Sequence, residues 1–284
     1  MAKTQDLKRR IRSVKNTMQL TKAMKMVAAA KLRRAQERIV SARPYAHGMR
    51  RLLRSLAARA DRDQHPLLRS RAGRRLELAV LTGDRGLCGG FNAGILRTAA
   101  GFAELQADCD VTIVAVGKKG RDFFRGRGTL TSQWVDIFRS VEFATAKQIA
   151  EALTQRYVAG ESDRICLVYN EFKSAIQAKP IVQQLLPIEP EQPEAGRAHG
   201  EYLYEPTERE LLAALLPHYV EIQVFHAMLE SVAAEHAARM TAMDSATKNA
   251  GELIDSLTLT MNRVRQASIT TEIIEVVSGA EALS

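Results

Sequence analysis

The sequence predicts an α/β fold combined with a long antiparallel coiled coil. The N- and C-terminal helices form the coil, and a small open, mainly parallel sheet with helices lies between them. Three observations predict it. Residues 2–43 hold no Gly or Pro and carry an apolar stripe in steps of three and four. Residues 218–284 hold no Pro and carry a stripe of the same period. Between the two, short apolar runs alternate with helical patterns, the grammar of strands joined by crossover helices.

The first helix takes its stripe from Leu7, Ile11, Val14, Met18, Thr21, Met24, Ala28, Leu32, Ala35 and Ile39. Ala28, Ala29 and Ala30 permit close backbone approach. Pro44 removes one backbone donor and is expected to kink the helix. The pattern resumes at Met49, Leu52, Leu53 and Leu56, so helix is expected to about residue 60. Two separate amphipathic helices in an ordinary bundle are the alternative.

Charge is concentrated in this helix. The chain's formal net charge is +9. Residues 1–43 alone hold six lysines and seven arginines against Asp6 and Glu37. So many like charges on one helix repel each other, which favours an acidic partner surface over a merely solvated face.

The middle segment starts with the strand candidate at 76–81, followed by GDRGLCGGFNAGI and a helix to about Glu104. Further strands are expected at 111–116, 165–170 and 181–187, and helices near 119–125 and 145–158. Residues 187–206, rich in Pro, Glu and Gly, read as a loop. The expected boundaries are thus 1–60 for the first coil helix, 75–205 for an α/β foot, and 208–284 for the second coil helix with an apolar tip.

The loop at 83–90 stands where nucleotide sites occur in open sheets. It has neither the GxGxxG spacing nor the Lys-Ser/Thr end of a phosphate loop. Cys88, Cys109 and Cys166 lack metal spacing and read as reduced thiols. The six histidines are scattered, with His226 and His236 ten residues apart rather than four. No acid, base and nucleophile come together, which points away from an active site. No run of 18 apolar residues occurs, so no membrane span is expected, and the opening residues lack a secretory or transit pattern.

The second long helix carries Leu229, Val232, His236, Met243, Ala246, Ala250, Leu253, Leu257, Met261 and Val264, with Arg239 interrupting the stripe. At about 1.5 Å per residue it would be on the order of 100 Å long, and is expected to project from any globule this chain builds. Its end sets Ile269, Ile273, Ile274, Val276 and Val277 beside Arg265, Gln266, Ser268, Thr270 and Thr271. If both helices leave the globule together, the second outruns the first. Its apolar end then needs a sleeve made by other chains, unless it folds back on its own core.

The runs IRSVKNTMQLTKAMKMVAAAKLRRAQ, DRGLCGGFN and RQASITTEIIEVVSGA, in order along the chain, resemble the gamma subunits of F-type ATP synthases. The resemblance implies a non-catalytic central stalk, with the coil as an axle inside a ring of alpha and beta subunits. The foot would rest on the c-subunit ring with the epsilon subunit beside it, at the cytoplasmic face of a bacterial inner membrane. Proton flow would turn the ring and drive ATP synthesis. The chain itself would carry no cofactor, because Mg-ATP and ADP sit on other subunits, and would meet the membrane only through the complex. It also implies site residues: Arg265, Gln266 and Thr270 at the family's catch, Met24 and Arg239 facing a beta lever, and Cys88 near the same lever. Family members often have Ser where this chain has Gly83. The paired-cysteine insertion of chloroplast members is absent.

Two other classes remain open on the residues alone. A nucleic-acid-binding coiled coil would explain the basic helix but neither the α/β insert nor the apolar tip. A nucleotide-using enzyme would explain the sheet but lacks a phosphate motif.

Overall fold

The computed structural model describes residues 2–57, 65–174, 177–189 and 207–281. They form two compact units, one of Met1–Ala29 with Arg239–Ser284, the other of Ala30–Ala238.

The larger unit is built on a five-stranded sheet. In chain order its elements are β1 (Arg75–Leu81), α2 (Phe91–Leu105), β2 (Asp110–Val116), α3 (Lys118–Phe124), β3 (Thr129–Trp134), a 3-10 turn (Ile137–Arg139), α4 (Phe143–Val158), β4 (Arg164–Phe172) and β5 (Ala178–Leu186). It also contains the nearer parts of the two long helices, α1 (Ala2–Ala57) and α5 (Glu208–Glu281). The strand order is β3-β2-β1-β4-β5. Strands β1 to β4 pair in parallel and β5 pairs antiparallel to β4. The mainly parallel open sheet expected from the sequence is therefore present.

The central strands show why. β1 buries every residue from Leu76 to Leu81, and β4 buries Ile165 to Asn170 without a break. A strand covered on both faces reads as a continuous apolar run, not an alternation. α2 contributes Phe91, Ile95 and Ala99 to the core, and α4 contributes Ala146, Ile149, Ala150, Leu153 and Tyr157.

Two features depart from expectation. β3, TLTSQW, is a fifth strand that the sequence hides, because polar, half-buried edge strands give no apolar run. The strand expected at 181–187 begins earlier, at Ala178, and holds Pro180. Proline is tolerated there because β5 is an edge strand.

Helix α1 continues through Pro44, and α5 through Pro217. In the larger unit α1 buries Leu32, Ala35, Ile39 and Leu53. The Tyr45 hydroxyl lies 3.1 Å from His218 Nε2 on α5. The end expected for the first helix near residue 60, and the expected loop beyond Glu189, lie outside the described residues. One stretch within Arg209–Ser278 is long and apolar enough to cross a bilayer by composition, but half of it is buried inside the protein.

Two buried acids of this unit are paired with arginines. Glu77, fully buried on β1, accepts hydrogen bonds from Arg156 Nε at 2.7 Å and Thr131 Oγ1 at 3.1 Å. Burial pushes its carboxyl above the usual glutamate range, against the pull of Arg156. Asp163, just before β4, takes a bidentate pair from Arg75 at 2.9 and 2.8 Å and the Arg75 backbone N–H at 3.0 Å.

Candidate functional site

The smaller unit pairs the start of α1 with the end of α5. Thr21 Oγ1 lies 2.8 Å from Thr247 Oγ1, and Lys25 Nζ lies 2.6 Å from Asp244 Oδ1. Moving up one helix moves down the other, so the pair is antiparallel. The seam follows the periodic positions. Ile11, Thr21, Ala28, Met243 and Ala250 are buried. Leu7, Val14, Met18, Met24, Ala246, Leu257, Met261 and Val264 are half-buried, while the positions between are mostly exposed.

One seam assignment needs correcting. Leu253 is 48% exposed, and the neighbouring Ile254 is half-buried in its place. Two adjacent aliphatic residues both fit a three-or-four step, and only the phase of the helix decides between them.

The register fixes where pairing ends. Ala2, the first residue of α1, is nineteen residues before Thr21. Nineteen residues beyond Thr247 is Gln266. Helix α5 continues to Glu281, so its last turns have no α1 residues opposite them. There Ile269, Ile273, Ile274, Val276 and Val277 are between 48% and 72% exposed. Arg265, Gln266 and Thr270 are exposed at the same end of the pairing. Thr270 Oγ1 donates to the Gln266 carbonyl at 3.0 Å, which leaves its lone pairs as acceptors.

Lys25 and Asp244 were not singled out in the sequence. Opposite charges flanking two seams are the signal that finds them, once the register is known. The hydrogen bond from Lys25 holds the Asp244 carboxyl below the usual aspartate range, with Lys248 also lending positive charge.

The other predicted positions fall elsewhere. Met24 is half-buried on the α1 side of the coil and Arg239 half-buried on α5. Cys88 belongs to the sheet unit and is buried, 2% exposed, whereas its neighbour Leu87 is 65% exposed. Asn92 Nδ2 donates to Cys88 Sγ at 3.2 Å, and Asn92 Oδ1 accepts the Gly83 N–H at 2.8 Å.

The carboxyl ends of β1 and β2 are bridged by the chain itself. Asp84 accepts the backbone N–H groups of Lys118, Asp136 and Phe138 at 2.9, 3.1 and 3.4 Å. A carboxylate thus occupies the α3 amino end, where an anionic ligand of an open sheet would otherwise be held. Gly117, with φ of 109°, lets the backbone pass there, since a Cβ would meet the Thr82 carbonyl oxygen at 2.0 Å.

Comparison with known proteins agrees with this geometry. The family model described as ATP synthase matches residues 3–283. The ATP synthase gamma chain of Desulforamulus reducens is 51% identical over 284 residues, covering all of both chains. That of Trichlorobacter lovleyi is 49% identical over 286 residues, covering all of this chain and 99% of the relative. A chain in the cryo-EM structure of the Tetrahymena thermophila mitochondrial ATP synthase, central stalk and c-ring, superposes with a TM-score of 0.61. It is 27% identical, with 80% of this chain and 99% of that chain covered.

Proposed function

This chain belongs to the ATP synthase gamma-chain family, and from that premise we propose that the unpaired end of α5 is the bearing and catch of a rotating axle. As a gamma chain it is a non-catalytic subunit and serves as the central stalk of the enzyme, in the sector peripheral to the membrane.

The observation that carries the proposal is the overhang. Five large aliphatic side chains stand exposed on a helix end with no α1 residues opposite. Isolated in water, such a patch is a liability, and a sleeve of neighbouring subunits removes the cost. Apolar contacts are nondirectional, so a shaft can turn against them without breaking particular bonds. Arg265, Gln266 and Thr270 do the opposite work. They offer charge-assisted donors and an acceptor that hold at chosen angles.

In this reading the sleeve is the ring of alpha and beta subunits. The sheet unit rests on the c-subunit ring beside the epsilon subunit. Met24 and Arg239 face a beta lever, and the loop of Cys88 lies near the same lever, with exposed Leu87 the side chain able to reach it. The basic start of α1 suits an acidic lever surface. Rotation couples proton transport to ATP synthesis at the cytoplasmic face of a bacterial inner membrane. Mg-ATP and ADP bind other subunits, and this chain holds no cofactor.

The test is the Arg265→Ala, Gln266→Ala double variant reassembled into the complex. ATP turnover is expected to fall several-fold, while the isolated variant keeps its helical content and melting temperature. Unchanged turnover removes the catch. Co-purification with alpha and beta subunits checks the partners.

A further inference from the structure

The sheet unit carries a feature that the rotor assignment does not use. At the amino ends of β1 and β4 lies a cleft of about 370 Å³. Ligand sites of open sheets lie at the carboxyl ends, so this is the opposite edge. Four of its lining residues are arginines: Arg71, Arg74, Arg75 and Arg164.

Two of the four are committed to the fold. Arg71 donates to the Tyr157 carbonyl at 2.6 Å and lies over the Tyr157 ring at 4.9 Å. Arg75 neutralises Asp163 through the bidentate pair. Gly73 permits that packing, because a Cβ there would fall 1.9 Å from the Asp163 carboxylate. The wall is therefore built and charge-balanced before any ligand arrives.

The other two are not consumed. Arg74 is exposed; its backbone carbonyl accepts the Asp110 N–H at 2.8 Å, but its guanidinium has no hydrogen-bond or ion-pair partner among the described residues. Arg164, half-exposed, gives one of its donors to Gln106 Oε1 and keeps the rest of its fork. Arg164 pairs in register with Leu76, two residues along from Arg74 on the neighbouring strand. The one other acid lining the cleft, Glu189, accepts from Gln184 at 3.0 Å. With Asp163 balanced by Arg75, the cleft retains an excess of positive charge.

We propose that this cleft binds a phosphate-bearing anion, with one phosphoryl group held between Arg74 and Arg164. Guanidinium forks match phosphate oxygens two at a time, which lysines do not. The phosphoryl group is supplied either by a soluble phosphate or by the headgroup of an anionic lipid.

The cleft contains its own reporter. Cys109 lines it and is half-exposed, whereas Cys88 and Cys166 are buried and burial pushes the Cys166 thiol up to about 11. The experiment follows alkylation of Cys109 in the full chain by N-ethylmaleimide, read peptide by peptide. Pyrophosphate, chloride at matched ionic strength, and phosphatidylglycerol vesicles are compared. Occupancy is expected to slow alkylation about tenfold once the site is about nine-tenths filled. Slowing by pyrophosphate identifies a soluble phosphate, and slowing by vesicles alone identifies a headgroup. The protection is expected to vanish in the Arg74→Ala, Arg164→Ala variant and to weaken in Arg74→Ala alone, where an exposed, unpaired side chain is removed and folding is unaffected. No slowing by either ligand, equal slowing by chloride, or protection that survives in the double variant overturns the proposal.

Discussion

Residues 212–237 and 239–281 of α5 share one continuous backbone yet meet different surroundings. In the first stretch Leu212, Leu216, Val220, Val224, Met228, Leu229, Ala233 and Ala237 are buried, and so are Gln223, Glu230, Ser231 and Glu235. A helix covered on nearly all sides belongs to a core, and its apolar residues need keep no single stripe. In the second stretch burial narrows to one seam, and from Ile269 to Ser278 every residue is exposed. Sequence serves stability in the first stretch and pairing in the middle, and at the end it leaves apolar surface uncovered. Apolar side chains in all three are chemically alike; only what lies opposite them differs.

The sharpest way to break this comparison is truncation at each end. Met228→Ala removes a fully buried side chain and is expected to cost about 2–5 kcal/mol in chemical denaturation of the isolated chain. Ile273→Ala removes one that is 58% exposed, and should stay within about 0.5 kcal/mol. Equal costs would mean that the end of α5 is packed in the free chain.

A smaller effect is expected midway. Leu253 faces outward, so Leu253→Gly tests backbone stiffness without emptying the seam, at a cost of about 1 kcal/mol. In the assembled motor the same change should raise elastic compliance in single-molecule torque measurements. Unaltered compliance would show that the coil's twist resistance does not depend on this stretch.

The smallest effect comes from the partly exposed Lys25–Asp244 pair. Its aspartate is held below the usual range by the Lys25 hydrogen bond, so the folded coil binds that proton less tightly than the unfolded chain. The pair's contribution is complete above the ordinary aspartate value of about 3.9 and is lost as pH falls through the lowered one. Asp244→Asn should therefore lower stability slightly at neutral pH and match the parent once pH falls below the lowered value, so its stability changes less through the acid range. Equal stability of the two proteins at neutral pH would show that the pair adds nothing. High salt should reduce the difference as well.

Much of this was legible in the chain. The long helices declare themselves through steps of three and four, and β1 and β4 through short, mostly apolar runs, broken in β1 only by Glu77. What stayed hidden needed a partner to be seen. TLTSQW becomes β3 only beside β2, and the direction of β5 follows from its pairing with β4. Leu253 and Ile254 are indistinguishable until Thr21 meets Thr247. The charges of Lys25 and Asp244 lie 219 positions apart and become a pair only through that register. At the candidate site, Arg265, Gln266 and Thr270 were drawn from resemblance. Thr270 lies beyond the first residue of α1, which only the register reveals, while Arg265 and Gln266 stand exposed at the last paired turn.

The Thr21–Thr247 contact also sets a phase. Seventeen residues lie between Thr247 and Arg265, and each residue of a helix turns the next by about 100°. Removing one of them would leave the seam intact up to that point while swinging every later side chain by more than a quarter revolution. For a shaft read by surrounding subunits, the length of that spacer is therefore a timing mark, and a single deletion would present Arg265 and its neighbours to the wrong listener.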